Sequence, residues 1–292
     1  MTTNLAAGNP PVDDAPSNSK YRLWRTFPIS PGNPNTILVH GAVVPLLADY
    51  ALYEPDKRNN KKLCSFQNLS TLLHGTCGHN VWEFEYADTC DYVPFLGVRC
   101  VNYGSLTNYS NELIEAIRKV QNLNSGSPVN IIAHSMGGLI ARCAAQKMGN
   151  GVVKRIITLD TGHLGFELAV LFDKILIDQL PPSLQTPVLC AEDAKPKSDF
   201  MQALTEGFTL GKPELVSLAA GDETPFPPPC EIPLISVRVV NWTSSSMGQV
   251  DDNGNPTPSN YNIPFYILPN CNHLSIVNFA QSSLISPLPN PP

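Results

Sequence analysis

Short apolar runs alternate along the chain with longer segments whose apolar positions recur every three or four residues. Thr36–His40 (TILVH) is a compact apolar run that stops at Gly41 and reads as a buried strand. Val81–Ala87 (VWEFEYA) alternates apolar and acidic positions, the pattern of a strand. Within Ser110–Val120, the residues Leu113, Ile114, Ile117 and Val120 fall on one helix face. Asn108 or Ser110 is placed to cap that helix, with Glu112 in its first turn. Val129–Ala133 predicts a strand, His134–Gly138 a tight turn, and Leu139–Met148 a helix that stops at Gly149. Val152–Leu159 predicts the next strand. Residues 164–180 predict an amphipathic to broadly apolar helix, ended by Pro181-Pro182. Residues 181–233 are proline-rich, with a helix at Ser198–Phe208. Ile235–Trp242 then predicts the penultimate strand, 243–262 a loop, and Ile263–Leu268 the last strand.

Strands alternating with helices specify an α/β architecture with a mainly parallel sheet and flanking helices. In such sheets ligands bind beyond the carboxyl ends of the strands. His40, Ser135, Asp160 and His273 each follow a predicted strand or lie just beyond it, which puts them on one rim. Residues 1–20 read as a polar tail and 286–292 as a proline-rich tail. The expectation for 21–285 is a single domain, in which 164–233 forms a helical and proline-rich insertion, a lid or cap, before the penultimate strand. Residues 42–80 look irregular, and Lys57–Lys62 reads as a solvated basic loop.

Charge and composition narrow the function. The 292 residues carry a net charge of −6 and only 15% charged side chains. No basic patch is present to follow a phosphate backbone, so a nucleic-acid partner is not expected. No apolar run reaches the ~18 residues that span a bilayer, although contact with a lipid interface stays open. The eight cysteines (Cys64, Cys77, Cys90, Cys100, Cys143, Cys190, Cys230 and Cys271) form no CxxC pair. An even count in a weakly charged chain points to disulfides, partly within the Cys64–Cys100 cluster. Three glycosylation sequons start at Asn68, Asn108 and Asn241. The N-terminus has no signal-peptide pattern. The expectation is a secreted protein in mature form. His74, Cys77 and His79 lack a fourth partner at zinc-like spacing, so no metal is assigned. No cofactor fingerprint is present either.

Ser135 carries the candidate chemistry. It sits in Ala133-His-Ser-Met-Gly137, between a strand and a helix, which is the nucleophile-elbow pattern with alanine in its first position. Small residues must flank such a serine, because the turn brings strand and helix close together. Ala133, Gly137 and Gly138 meet that need. The turn exposes Oγ and presents the next backbone N–H, on Met136, to a developing oxyanion.

VNIIAHSMGGLIAR, the upstream VHG and the late NHLSIV together resemble secreted lipases and esterases of the α/β-hydrolase fold. The alanine form of the elbow is similar to small Bacillus-type lipases. Leu159–Gly165 resembles the segment after the next strand in many lipases, and Gly221–Pro225 resembles actinomycete extracellular lipases. The resemblance covers islands of roughly residues 36–280. It implies an oxyanion hole from the N–H groups of Ala42 and Met136, and His273 as the base. It places the acid just after the penultimate strand, where the first carboxylates are Asp251 and Asp252. Asp251 is the first choice. Asp160, which follows the Val152 strand as in pancreatic-type lipases, and Asp252 are the alternatives.

The resulting expectation is a serine carboxylic-ester hydrolase acting through an acyl-enzyme on a lipid, short-chain ester or polyester. An extracellular polyester depolymerase (polyhydroxyalkanoate-type), an amidase or acyltransferase, and a non-catalytic binding protein on the same fold are the alternatives.

Overall fold

The computed structural model describes residues 11–41, 66–86, 89–93, 97–101, 104–166, 189–208, 213–221, 240–269, 271, 273 and 276–277. An eight-stranded sheet runs in the order β1-β2-β4-β3-β7-β8-β9-β10. Its strands are β1 (Val12–Asp13), β2 (Arg22–Arg25), β3 (Asn35–Val39), β4 (Asn80–Glu85), β7 (Val129–His134), β8 (Val153–Leu159), β9 (Glu214–Ala220) and β10 (Phe265–Leu268). From β4 to β10 every pairing is parallel, while β1 and β2 add an antiparallel edge. β5 (Thr89–Val93) and β6 (Gly97–Val101) pair separately as an antiparallel ribbon.

The central strands are apolar because both faces are covered. All five residues of β3 are buried. Its side chains alternate: Ile37 and Val39 enter one core and Leu38 the other. β7 divides in the same way, with Ile131 and Ala133 on the first face and Ile132 on the second. The first face packs on α2 (Leu106–Leu123) and α3 (Met136–Met148), the second on α1 (Gln67–Gly75) and Ile276–Val277. α2 buries Leu106, Tyr109, Leu113, Ala116, Ile117 and Val120 along one stripe. It starts where Ser105 accepts a hydrogen bond from the N–H of Asn108. The short helices α4 (Leu189–Asp193), α5 (Asp199–Glu206) and α6 (Trp242–Ser245) complete the described helices.

Several expectations need correction. Penultimate in the sheet is β9 at Glu214–Ala220, inside the segment expected to be an insertion. Residues 235–239 of the expected strand Ile235–Trp242 lie outside the described residues, and Trp242 opens α6 rather than ending a strand. Asn241 caps that turn by accepting from the N–H of Ser244, a local bond that outweighs the β-branched character of the preceding sequence. Residues 164–166 are not helical, and 167–180 lie outside the described residues. α1 occupies part of the stretch expected to be irregular; its Leu69 and Leu73 pack on the second core. Cys77 and Cys143 are free thiols, so the even cysteine count does not pair up completely.

The order of strands creates the site. β4 lies on one side of β3 and β7 on the other, so the chain reverses its direction of travel across the sheet between β3 and β7. Connections leave in opposite directions there and open a crevice at the carboxyl ends. His40-Gly41 and Ser135 sit at that crevice.

Candidate active site

Ser135 links β7 to α3 with φ 53° and ψ −127°. A non-glycine residue held there costs about 1–3 kcal/mol, and such strain persists only where the surroundings fix it. Several contacts do so. Its N–H donates to Leu159 O at 2.9 Å, and its carbonyl accepts from Thr161 Oγ1 at 2.9 Å. α3 begins immediately, and Ser135 makes no side-chain capping bond to it. The hydroxyl is therefore not used as a helix cap, the commonest structural use of a serine at such a position. The N–H of Met136 lies in the first turn of α3, where helical N–H groups have no partner within the helix.

Close packing explains the glycines around the serine. A β-carbon on Gly137 would stand 2.3 Å from the carbonyl oxygen of His40, and one on Gly41 would stand 2.8 Å from the Ser135 β-carbon. Strand end and helix start are thus pressed together across the crevice. Tyr86, just after β4, holds the loop beyond β3 from the other side. Its hydroxyl lies 2.7 Å from His40 O and 3.0 Å from Gly41 O, and its ring stacks on His40 at 4.1 Å. His40 Nδ1 reaches Gly41 O at 2.7 Å; since a carbonyl only accepts, Nδ1 carries the proton. Burial pushes the His40 imidazole down to about 4 and the Tyr86 phenol well above its ordinary value. Both therefore act as neutral donors. Ala42, expected to contribute an oxyanion-hole N–H, lies outside the described residues.

The structure brings His273 to Asp160. His273 Nδ1 lies 2.6 Å from Asp160 Oδ2, and both side chains are nearly buried. The other carboxylate oxygen, Oδ1, accepts from the N–H of Ala220 at 3.1 Å, at the end of β9. The Asp160 N–H donates to Leu218 O at 2.7 Å. Asp160 itself is held at φ 49°.

Asp251, the first choice for the acid, is placed elsewhere, as is Asp252. Asp251 folds back on its own turn and accepts from the N–H groups of Asn253 and Asn255, both at 2.9 Å. The Asn255 side-chain amide, which donates to both carboxylate oxygens, and then these backbone bonds hold its carboxyl below the usual range. Asp252 accepts from Thr243 N and Oγ1 at 3.1 and 2.9 Å. The physical reason is local: at Trp242 the chain enters α6, and the loop beyond it closes on Thr243 and on its own N–H groups. Asp160 leaves the sheet directly at the end of β8, between β7 and β9.

The remaining histidines have other partners. His163 is fully buried, with Nε2 3.0 Å from Thr158 Oγ1 and Nδ1 3.3 Å from Arg142 Nη1. Arg142 also donates to His163 O and Leu204 O, which ties the segment after Asp160 to α3 and α5. Burial pushes its guanidinium down to about 10. His74 and His79 lie near the amino end of β4, away from the rim: His79 Nδ1 is 2.7 Å from Thr36 Oγ1, and His74 stacks on Phe27. Sequence reasoning missed the roles of Tyr86 and Thr161. Tyr86 had a signal, since it lies near the carboxyl end of the predicted strand Val81–Ala87, at the end of the sheet where the expected site residues fall.

A sequence profile described as the alpha/beta hydrolase fold matches residues 89–185. Comparison with curated proteins found no match. Among solved structures, the mature form of a Bacillus licheniformis lipase is similar at 15% identity and a TM-score of 0.51. The alignment covers 95% of this chain and 97% of that one. A carboxylesterase of the thaumarchaeon Nitrososphaera gargenis is similar at 12% identity and a TM-score of 0.50, covering 94% of this chain and 95% of that one. A Legionella pneumophila phospholipase is similar at 15% identity and a TM-score of 0.51; the match covers 87% of this chain and 57% of that one. With the mainly parallel sheet and its switch in strand order, these likenesses show that the chain has the α/β-hydrolase fold.

Proposed function

We propose that this α/β-hydrolase-fold chain is a serine ester hydrolase with Ser135 as nucleophile, His273 as base and Asp160 as the acid. The observation that carries the reading is the pairing of His273 with Asp160 on the rim where Ser135 stands in a strained turn. With Nδ1–H donated to the carboxylate, the Nε2 lone pair of His273 is the one left to accept a proton. Ser135 Oγ attacks the ester carbonyl carbon as its proton passes to Nε2. The carbonyl oxygen becomes an oxyanion, stabilised by the N–H groups of Met136 and Ala42. The tetrahedral adduct expels the alkoxide, which takes the proton from His273. Water then attacks the acyl-enzyme with His273 again as base, releasing the acid and restoring Ser135.

The lipase, phospholipase and carboxylesterase names among the similar structures support an ester as substrate. The secreted reading rests on the three sequons; Asn108 is exposed, whereas Asn241 spends its side chain capping α6. No described helix is long and apolar enough to cross a membrane. The single-domain reading of 21–285 rests on the sheet continuing from Val12 to Leu268.

The test is hydrolysis of p-nitrophenyl esters from acetate to palmitate by the wild type and Ser135→Ala. Activity lost in the variant supports the reading, and the preferred chain length then separates esterase from lipase. Activity that survives the substitution overturns it. Wild-type inertness towards every ester also overturns it and favours an amide substrate or a binding role.

A further inference from the structure

His134 is the last residue of β7 and immediately precedes Ser135; it is 3% exposed. The chemistry above does not use its ring, yet the ring meets two other parts of the site. Nε2 lies 2.8 Å from the carbonyl oxygen of His273. A carbonyl can only accept, so Nε2 carries the proton and Nδ1 is a bare lone pair. Nδ1 has no hydrogen-bond partner among the described residues. It faces the loop beyond β3, where a β-carbon on Gly41 would stand 3.0 Å from it. The His134 and His273 rings have their centroids 4.7 Å apart.

A buried histidine that only filled space would gain little from this arrangement. Leaving a buried acceptor bare costs free energy that an apolar side chain would avoid. What the imidazole offers here, and an apolar ring does not, is a donor aimed at the backbone of His273.

We propose that His134 is a positioning residue for the reaction at Ser135, whose Nε2–H anchors the backbone of His273 to the strand that carries the nucleophile. His273 is then held at two points. Asp160 grips the ring and sets its tautomer; His134 grips the main chain and sets its distance from Ser135. The ring must also be uncharged, because an imidazolium forms next to it during catalysis. Burial first, and then the His273 imidazole, push His134 down to about 3, with His40 adding to the effect and the bond to His273 O opposing it. His134 thus stays neutral at neutral pH. The inference rests on the proposed roles of Ser135 and His273.

Two amides of similar polarity separate a positional role from a packing role. The side-chain nitrogen of glutamine reaches the place of Nε2, whereas that of asparagine, one methylene shorter, reaches only the place of Nδ1. The experiment measures kcat and KM on p-nitrophenyl butyrate for the wild type, His134→Gln, His134→Asn and Ser135→Ala, with melting temperatures alongside. A misplaced base lowers kcat, so His134→Asn is expected to lose about 10- to 100-fold in kcat with KM within about twofold. His134→Gln is expected to recover most of that loss, although the two variants melt within a few degrees of each other. Equal kcat values for the two amides overturn the inference, as does a loss confined to KM. Ser135→Ala separates the two levels. If it is inactive and the amides are equal, only the role of His134 fails; if it is active, the nucleophile assignment fails and the role of His134 with it.

Discussion

Asp160 and His273 lie 113 positions apart in the chain and 2.6 Å apart in space. The contact joins the end of β8 to the segment after β10, and Asp160 is also tied to the end of β9 through the N–H of Ala220. In the proposed mechanism the Asp160→Asn variant keeps the shape of this contact but offers an amide in place of a carboxylate, which favours the wrong tautomer of the base. We expect kcat to fall by about 10²- to 10⁴-fold, with the fold retained. Asp251→Asn should leave kcat within about threefold, because Asp251 serves only its own turn. Parallel kinetics on one ester check both. A larger loss in Asp251→Asn than in Asp160→Asn contradicts the assignment.

Tyr86 gives a second prediction. Its hydroxyl meets the carbonyls of His40 and Gly41, and the Gly41 carbonyl shares a planar peptide with the N–H of Ala42. Removing the hydroxyl frees that peptide plane to rotate. Tyr86→Phe is expected to lower kcat by about tenfold and leave KM nearly unchanged, since in the proposed mechanism the Ala42 N–H stabilises the oxyanion, a contact made mainly in the transition state. Steady-state kinetics with a circular-dichroism check of folding tests this. A rise in KM at constant kcat contradicts it.

The buried histidines predict how stability depends on pH. The His40 pKa is about 4 and the His134 pKa about 3 in the folded chain, against 6.5 ordinarily, and burial is the main cause in both. Below pH 6.5 the unfolded chain takes up protons that these folded rings refuse. Stability is therefore complete above the unfolded pKa and is lost as the pH falls towards the folded values. For His40 the gap is worth about 3 kcal/mol once fully expressed. Melting temperatures measured at steps from about pH 8 down to about pH 4 should be flat at first and then fall steadily below pH 6.5. A constant or rising melting temperature over the acid half contradicts the burial argument.

Much of this site could be read from local sequence. Ser135 was legible because the elbow is a local device: strand, tight turn, two small residues and helix occur within a few positions. The strands that carry His40, Ser135 and Asp160 were legible because strands buried on both faces are short apolar runs. His273 was legible from its place beyond the last strand. The carboxylate that pairs with His273 was harder to assign, because it depends on which loop meets His273 in space. Asp251 was favoured on the assumption that Ile235–Trp242 is the strand before it. That position in the sheet belongs instead to β9, whose residues ELVSLAA give a weaker strand pattern. α2 was found but begins four residues early, at Leu106, because its cap is Ser105 and not Asn108 or Ser110. His134 and Tyr86 act through carbonyls, and contacts to the main chain leave no pattern in side-chain types.

The central claim is that Ser135 is a nucleophile activated by the pair His273 and Asp160. The most direct measurement is covalent labelling with a p-nitrophenyl phosphonate ester, followed by intact mass and peptide mapping. The account predicts one adduct per chain, located on Ser135, abolished in Ser135→Ala and formed more slowly in Asp160→Asn. No adduct on the wild type, or an adduct at another residue, would contradict it.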